Sequence, residues 1–173
     1  MSGLLTDELR AFIGAERSYQ AQEEVGRSAI RYFAIAVEDR SPLYHSDSYA
    51  KSQGYPSRIA PPTFVVESGG YSEGKPNANG YLAHEWDLPM TGLRNIRGGQ
   101  EYEFMRPVLP TDRISVKYVL ESIEEKSSRD GRGQLMVISV ATYTDAAGEV
   151  VATNRETFFL QPIPETTVEK AAP

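Results

Sequence analysis

Cysteine is absent from this chain. That excludes disulfides, thiolate nucleophiles and cysteine-ligated zinc or iron–sulfur centres. Histidine is scarce, with only His45 and His84 in 173 residues. Positive charge is in deficit, since 18 Lys and Arg face 24 Asp and Glu for a net charge of −6. Nucleic acid and anionic membrane both select a basic face, so neither is expected as a partner. No apolar run approaches the roughly 20 residues that span a bilayer, and none is expected to do so. The opening MSGLLTDELR has neither a basic start nor an apolar core, so no signal peptide is expected and the cytoplasm is the expected compartment. Two further patterns are missing. Gly69-Gly70 has no Walker pattern around it, and no G-x-S-x-G elbow surrounds Ser68.

The remaining composition is that of a globular protein, 40% hydrophobic and 24% charged. The length suits one domain, placed at residues 1–162, with a polar, disordered tail over 163–173. The N-terminal part reads as helical. Leu4 to Ile13 has helical spacing, with Thr6-Asp7 as cap and Gly14 as stop. Arg17 to Val25 can hold a short strand. Ser28 to Val37 carries apolar residues at 29, 30, 33, 34, 36 and 37, with Ser28 as the predicted cap. Asp39 to Pro62 reads as irregular, with one helical turn over Asp47 to Ser52. Thr63 to Gly70 (TFVVESGG) is a strand or a buried helix. Tyr71 to Gly99, rich in Gly, Pro and Asn, reads as one long loop, the candidate lid or pocket wall.

The C-terminal part reads as strands. Gln100 to Val108, Arg113 to Ile123, Leu135 to Thr144 and Val150 to Leu160 alternate or run apolar, separated by polar turns. The last three, joined by short turns, predict an antiparallel meander. The fold class is therefore α+β, an antiparallel sheet with helical segments covering one face.

The stretch with most chemistry is Tyr32 to Phe64, where Asp39, Ser41, Tyr44, His45 and Asp47 crowd together after a helix. Asp39 and His45 can serve as an acid–base pair. Equally, Asp39 can satisfy a turn while His45 lies at the surface. Tyr44 can donate to a thioester or to water, or simply pack. Arg94, Arg97 and Arg106 can hold phosphates; Arg106 can instead pair with Glu101 or Glu103. Asn154 and Arg155 can face a ligand or a partner, or be surface polarity. His84, Glu85 and Asp87 flank Trp86 and read as a folded loop rather than a metal site, so no metal is expected.

The order of these features resembles a known family. A helix is followed by a polar break ending in Pro42-Leu43, then Gly54-Tyr55 and Ile59-Ala60-Pro61-Pro62-Thr63-Phe64. After the long loop comes Glu103-Phe104-Met105-Arg106-Pro107-Val108, with Pro110 and Asp112, and then long strands. This resembles the MaoC-like hot-dog family of (R)-specific enoyl-CoA hydratases and 3-hydroxyacyl-thioester dehydratases, closest to its N-terminal-type dehydratase half, over roughly residues 17–162. The resemblance implies an antiparallel sheet wrapped around a central helix, an acyl-CoA or acyl-carrier thioester as substrate, and no cofactor. Active members hold a water between an Asp and a His, and bind the thioester oxygen through a glycine N–H. Aligned on Pro42, the Asp falls on Asp39, an Asn on Ser41, and the His on Tyr44, one residue before His45. The His-Gly pair falls on Pro61-Pro62, and proline has no N–H. The implied site residues are Asp39, Tyr44 and His45 for catalysis, with Ser41, Thr63, Arg94, Arg97 and Arg106 for substrate.

Such degenerate halves work beside an active half, so the expected partner is a MaoC-like subunit, or a second copy in a homodimer. Three other readings remain. The chain can be a self-sufficient hydratase using Asp39 with His45 or Tyr44, a non-enzymatic acyl-thioester binder, or a thioesterase using Glu67.

Overall fold

The computed structural model describes residues 3–66, 84–128 and 131–163. In order these form helix α1 (Asp7–Arg10), strand β1 (Glu16–Tyr19), helices α2 (Arg27–Ala36), α3 (Pro42–His45) and α4 (Asp47–Ser52), a 3-10 turn (Pro62–Val66), and strands β2 (Leu93–Phe104), β3 (Ser115–Ser127), β4 (Gly133–Thr144) and β5 (Val150–Pro162). The strands make one five-stranded sheet in the order β1-β3-β4-β5-β2, and every neighbouring pair is antiparallel. The meander is β3-β4-β5, and β2 returns to the far side of β5.

Alternation decides which face is buried. Leu135, Val137, Ser139, Ala141 and Tyr143 of β4 turn inward, opposite Val116, Tyr118 and Leu120 of β3 before its bulge and Ile123 after it. Ile30 of α2, Ala60, and Phe64 and Val65 of the 3-10 turn join the same core. Each fully buried aliphatic side chain there contributes about 1.5–3 kcal/mol. Phe33 of α2 meets Phe64 edge-on at 5.3 Å between ring centroids, so helix and 3-10 turn cover the sheet together.

Several boundaries differ from the sequence reading. The first helix is short, capped by Thr6 Oγ1 accepting from Leu9 N–H at 3.2 Å. In α2 the cap position is Gly26, at φ +76°, and Ser28 lies inside the helix. The break after α2 holds two short helices rather than one. Leu93 to Gly99 belongs to β2, not to a loop. Gly98 forms a bulge there, and a Cβ on it would sit 2.7 Å from the Phe159 ring and 3.0 Å from the Thr157 carbonyl oxygen. Asn154 is core-facing and buried, while Arg155 pairs with Glu121 across the outer face. Glu67, Gly69, Gly70, the Tyr71-to-83 part of the proposed lid and the tail from 164 lie outside the described residues. Among the described residues, no helix is long and apolar enough to cross a membrane.

Candidate functional site around Tyr44

The polar stretch after α2 is shaped by short-range hydrogen bonds. Asp39 Oδ1 accepts from Ser41 N–H at 2.9 Å, and Ser41 Oγ accepts from Leu43 N–H at 3.4 Å as the cap of α3. These are the turn and cap bonds that short polar side chains favour. Pro42 sits in the first turn of α3, where its missing N–H costs nothing. The next helix is clamped from outside. Asp47 Oδ1 accepts from the Arg58 N–H at 3.1 Å and from its guanidinium at 2.9 Å, and Arg27 pairs with the other oxygen at 3.2 Å. The Arg58 hydrogen bonds hold the Asp47 carboxyl well below the usual carboxylate range.

Main-chain bonds then fix the segments that line a cavity beside α3. Ile59 N–H donates to the Leu43 carbonyl, Ala60 N–H to Val108 and Met105 N–H to Val151, at 3.1, 2.8 and 2.9 Å. The space is about 300 Å³ and opens to the surface. Its walls include Ile59, Pro62, Val65, Phe104, Val108 and Val151, with the phenols of Tyr44 and Tyr55 among them. Burial raises the Tyr44 pKa above its ordinary value, and the Asp39 and Tyr55 charges add to that rise.

Arg106 borders this cavity, yet its guanidinium is occupied. It meets Asp112 through both terminal nitrogens at 2.7 and 3.1 Å, Asp145 at 2.9 Å and the Pro107 carbonyl at 3.0 Å. The partners are Asp112 and Asp145, not Glu101 or Glu103. Those bonds raise the Arg106 pKa, Asp112 contributing most.

Asp39 and His45 lie on the other side of α3. They line a groove with Ala34, Ile35, Glu38 and Arg40. His45 Nε2 is 3.2 Å from the Asp39 main-chain carbonyl oxygen. A carbonyl oxygen only accepts, so Nε2 donates and carries the hydrogen in that bond. The histidine is thus tethered to the backbone of Asp39 rather than to its carboxylate.

The other candidates stand apart. Thr63 is exposed on the 3-10 turn. Arg94 is exposed and donates to Gln161 Oε1 at 2.9 Å. Arg97 pairs with Glu156 at 3.3 Å and lines a separate, polar cavity with Asn95, Glu156 and His84. At the rise of an extended strand, Arg97 is about 20 Å along β2 from Phe104. The structure therefore does not bring Arg94 and Arg97 to the Tyr44 cavity. His84 is packed into aromatic rings. It stacks on Tyr118 at 3.9 Å, meets Trp86 edge-on at 4.5 Å, and its Nδ1 lies 3.0 Å from the Tyr19 hydroxyl. Burial, with a smaller effect from Arg17, lowers its pKa to about 4. The residue that sequence reasoning did not single out is Tyr55; its signal was its place between Gly54 and Pro56 in the quoted stretch.

Residues 11–154 match the family described as FAS1-like, dehydratase domain region. The chain belongs to that dehydratase-region family. Within it, the chain is 36% identical over 147 residues to a UPF0336 protein of Streptomyces avermitilis, covering 83% of this chain and 89% of that one. A UPF0336 protein of Saccharopolyspora erythraea is 33% identical over 148 residues, covering 86% and 88%. Among solved structures, the ChsH1–ChsH2 complex of Mycobacterium tuberculosis is similar at a TM-score of 0.67 and 19% identity, over 86% of this chain and 85% of that chain. The truncated HadBC 3R-hydroxyacyl-ACP dehydratase complex of the same organism gives 0.64 and 23%, over 86% and 96%. A MaoC-like dehydratase from Rhodospirillum rubrum gives 0.59 and 18%, over 88% and 94%. The fold of this family member is the hot dog of the MaoC-like dehydratases.

Proposed function

We propose that this chain is the non-catalytic half of a two-chain enoyl-thioester hydratase/dehydratase, and that a MaoC-like partner carries out the water addition. The substrate class is an acyl-CoA or acyl-carrier thioester. One observation carries the reading: the side chain that faces the cavity beside Pro62 is a phenol, Tyr44. Taking a proton from water near neutral pH calls for a base with a pKa near that pH. Burial raises the Tyr44 phenol above its ordinary pKa of 10, so at neutral pH it keeps its proton and cannot act as the base. Pro61 and Pro62 offer no N–H to an enolate oxygen, and losing one such donor costs about 10²–10³ in rate. The ChsH1–ChsH2 and HadBC relatives in fold are two-chain complexes by their descriptions, which supports a hetero-oligomer here.

The test is reconstitution. The full chain is assayed on crotonyl-CoA and a longer enoyl-CoA, alone and co-purified with a MaoC-like chain that keeps the motif Asp and His. Turnover is expected only with the partner. Full turnover by this chain alone would overturn the reading.

A second reading has its own observation, since Asp39 and His45 do share a groove. A homodimer could then hydrate enoyl thioesters on that side of α3. In that case Asp39→Asn and His45→Ala would each cost at least about 100-fold in turnover. Unchanged rates in both would remove it.

A further inference from the structure

Helix α2 is apolar on both sides. Ile30 and Ala34 are buried in the core, yet Tyr32, Ile35 and Val37 stay 61%, 59% and 51% exposed, with Ala29 and Ala36 exposed beside them. A helix that is apolar all round is one that is covered on both sides. The charges of α2 are also set against its macrodipole. Its first two turns hold Arg27 and Arg31 and no acid, its last turn holds no base, and Glu38 and Asp39 follow its C-terminus. Arg27 is offset by Asp47. Among the described residues, Arg31, Glu38, Asp39 and Arg40 form no ion pair, and Arg31 lies over the Tyr32 ring, 5.0 Å from its centroid. The end of the helix carries a third oddity. Asp39 N–H donates to the Ala34 carbonyl oxygen at 2.8 Å and Glu38 N–H to that of Ile35 at 3.0 Å. This places Glu38 at φ +57°, the left-handed position that a glycine ordinarily takes.

We propose that the outer face of α2 pairs with the same face of a second copy of this chain, the two helices running antiparallel about a twofold axis. One arrangement answers all three features. An isologous contact sets residue i against j and j against i. With the axis level with residues 34 and 35, Arg31 of each copy stands opposite the other copy's Glu38, and Tyr32 meets Ile35 and Val37. The flank is shared: Ile35, Glu38 and Asp39 line one groove with Arg40 and His45, and Arg31, one turn before Ile35, lies on that side of α2. Each basic end then meets an acidic end, and the helix dipoles run opposed. Arg31 and Arg40 balance Glu38 and Asp39, so two chains of net charge −6 meet there at a neutral face. A uniformly acidic partner would repel Glu38 and Asp39, and a uniformly basic one would repel Arg31 and Arg40; a second copy matches both ends. No residue of β2 lies on this face, so the pairing is separate from any association along the sheet edge. It goes beyond the hydratase reading and does not depend on it.

The absence of cysteine makes the axis directly testable, because one engineered thiol per chain reports one contact. Full-length Ile35→Cys is treated with a short bismaleimide, and the association of the unmodified chain is followed by sedimentation. Ile35→Cys should give covalent dimers, and the unmodified chain should self-associate with a dissociation constant on the order of micromolar, as a small interface allows. Arg31→Glu should weaken that association at least about tenfold, since like charges then meet twice in each pair. Adding Glu38→Arg to it should restore association to within about threefold of the unmodified chain. Glu38→Gly should weaken association yet raise the melting temperature of the monomer, which separates a lost contact from a lost fold. No cross-link at Ile35, association unchanged by Arg31→Glu, or a double variant as weak as Arg31→Glu alone would each overturn the proposal. So would loss of a MaoC-like chain from the Arg31→Glu variant, which would assign the face to that partner instead. Turnover in the reconstitution assay tests the non-catalytic reading separately.

Discussion

Tyr44 and His45 are adjacent in sequence but face different chambers. Tyr44 borders an apolar cavity with Pro62, Val65 and Val151, whereas His45 borders a groove of mixed lining, with Ala34 and Ile35 beside Glu38, Asp39 and Arg40. The reason is geometric. Successive residues on a helix are about 100° apart, so one step of register in α3 carries a side chain from one side to the other. A histidine one place late is therefore not a histidine slightly misplaced. It serves another surface, and here it is tied to the Asp39 carbonyl. The cavity side keeps an apolar lining without a base, and the groove side keeps the titratable groups Asp39 and His45.

The sharpest way to break this contrast is to disable each side in the reconstituted complex. Asp39→Asn and His45→Ala should leave turnover within about twofold, against the 10²–10⁴ expected of a working acid–base pair; steady-state rates on enoyl-CoA decide it. Stability should show the opposite ranking. Tyr44 packs against the core, so Tyr44→Ala should cost about 2 kcal/mol, on the order of 6 °C in melting temperature for a chain of this size. His45→Ala removes one hydrogen bond and should cost about 1 kcal/mol or less. Arg106→Ala frees Asp112 and Asp145 beside the cavity wall, and calorimetry should show a melting temperature lower by several degrees, only partly recovered by Arg106→Lys.

The remaining predictions concern pH and turn to the chain's other histidine. Burial holds the His84 pKa near 4, below the roughly 6.5 of an unfolded chain. On acidification the unfolded state binds the proton first, so this contribution is complete above about pH 6.5 and is lost as pH falls towards 4. Urea midpoints at pH 7.5 and 5 should differ less in His84→Phe, which keeps ring stacking but cannot titrate. Asp47 acts lower. Its depressed pKa gives stability present above about pH 4 and lost as pH falls further, and Asp47→Asn should flatten that limb.

Much of the fold was legible because it follows from period. Alternation placed β3, β4 and β5 within a few residues, and the apolar spacing of 29–37 placed α2. What period does not show is where an edge strand goes, so β2 beside β5 was not readable, nor were the seven residues of β2 before Gln100, disguised by two glycines. Ser28 looked like a cap because capping propensity is local, yet the chain turns one residue before the helix, at a glycine with positive φ. The site was half legible. The alignment on Pro42 singled out Tyr44 and Pro62, and both line one cavity. The arginines' partners were not readable, because sequence shows a charge but not what it pairs with; Arg106 is satisfied by acids 6 and 39 residues away.

The outer strand β2 carries one more consequence. It is 12 residues long, it ends the sheet among the described residues, and its hydrogen-bonding side beyond β5 is open there. Gly98 twists it and Arg94 and Arg97 decorate it, devices that discourage stray strand pairing without abolishing it. A preparation of this polypeptide by itself should therefore be prone to self-adhesion along that border as concentration rises, and a lysine placed at Asn95 or Glu101 should improve its solubility before it changes anything inside.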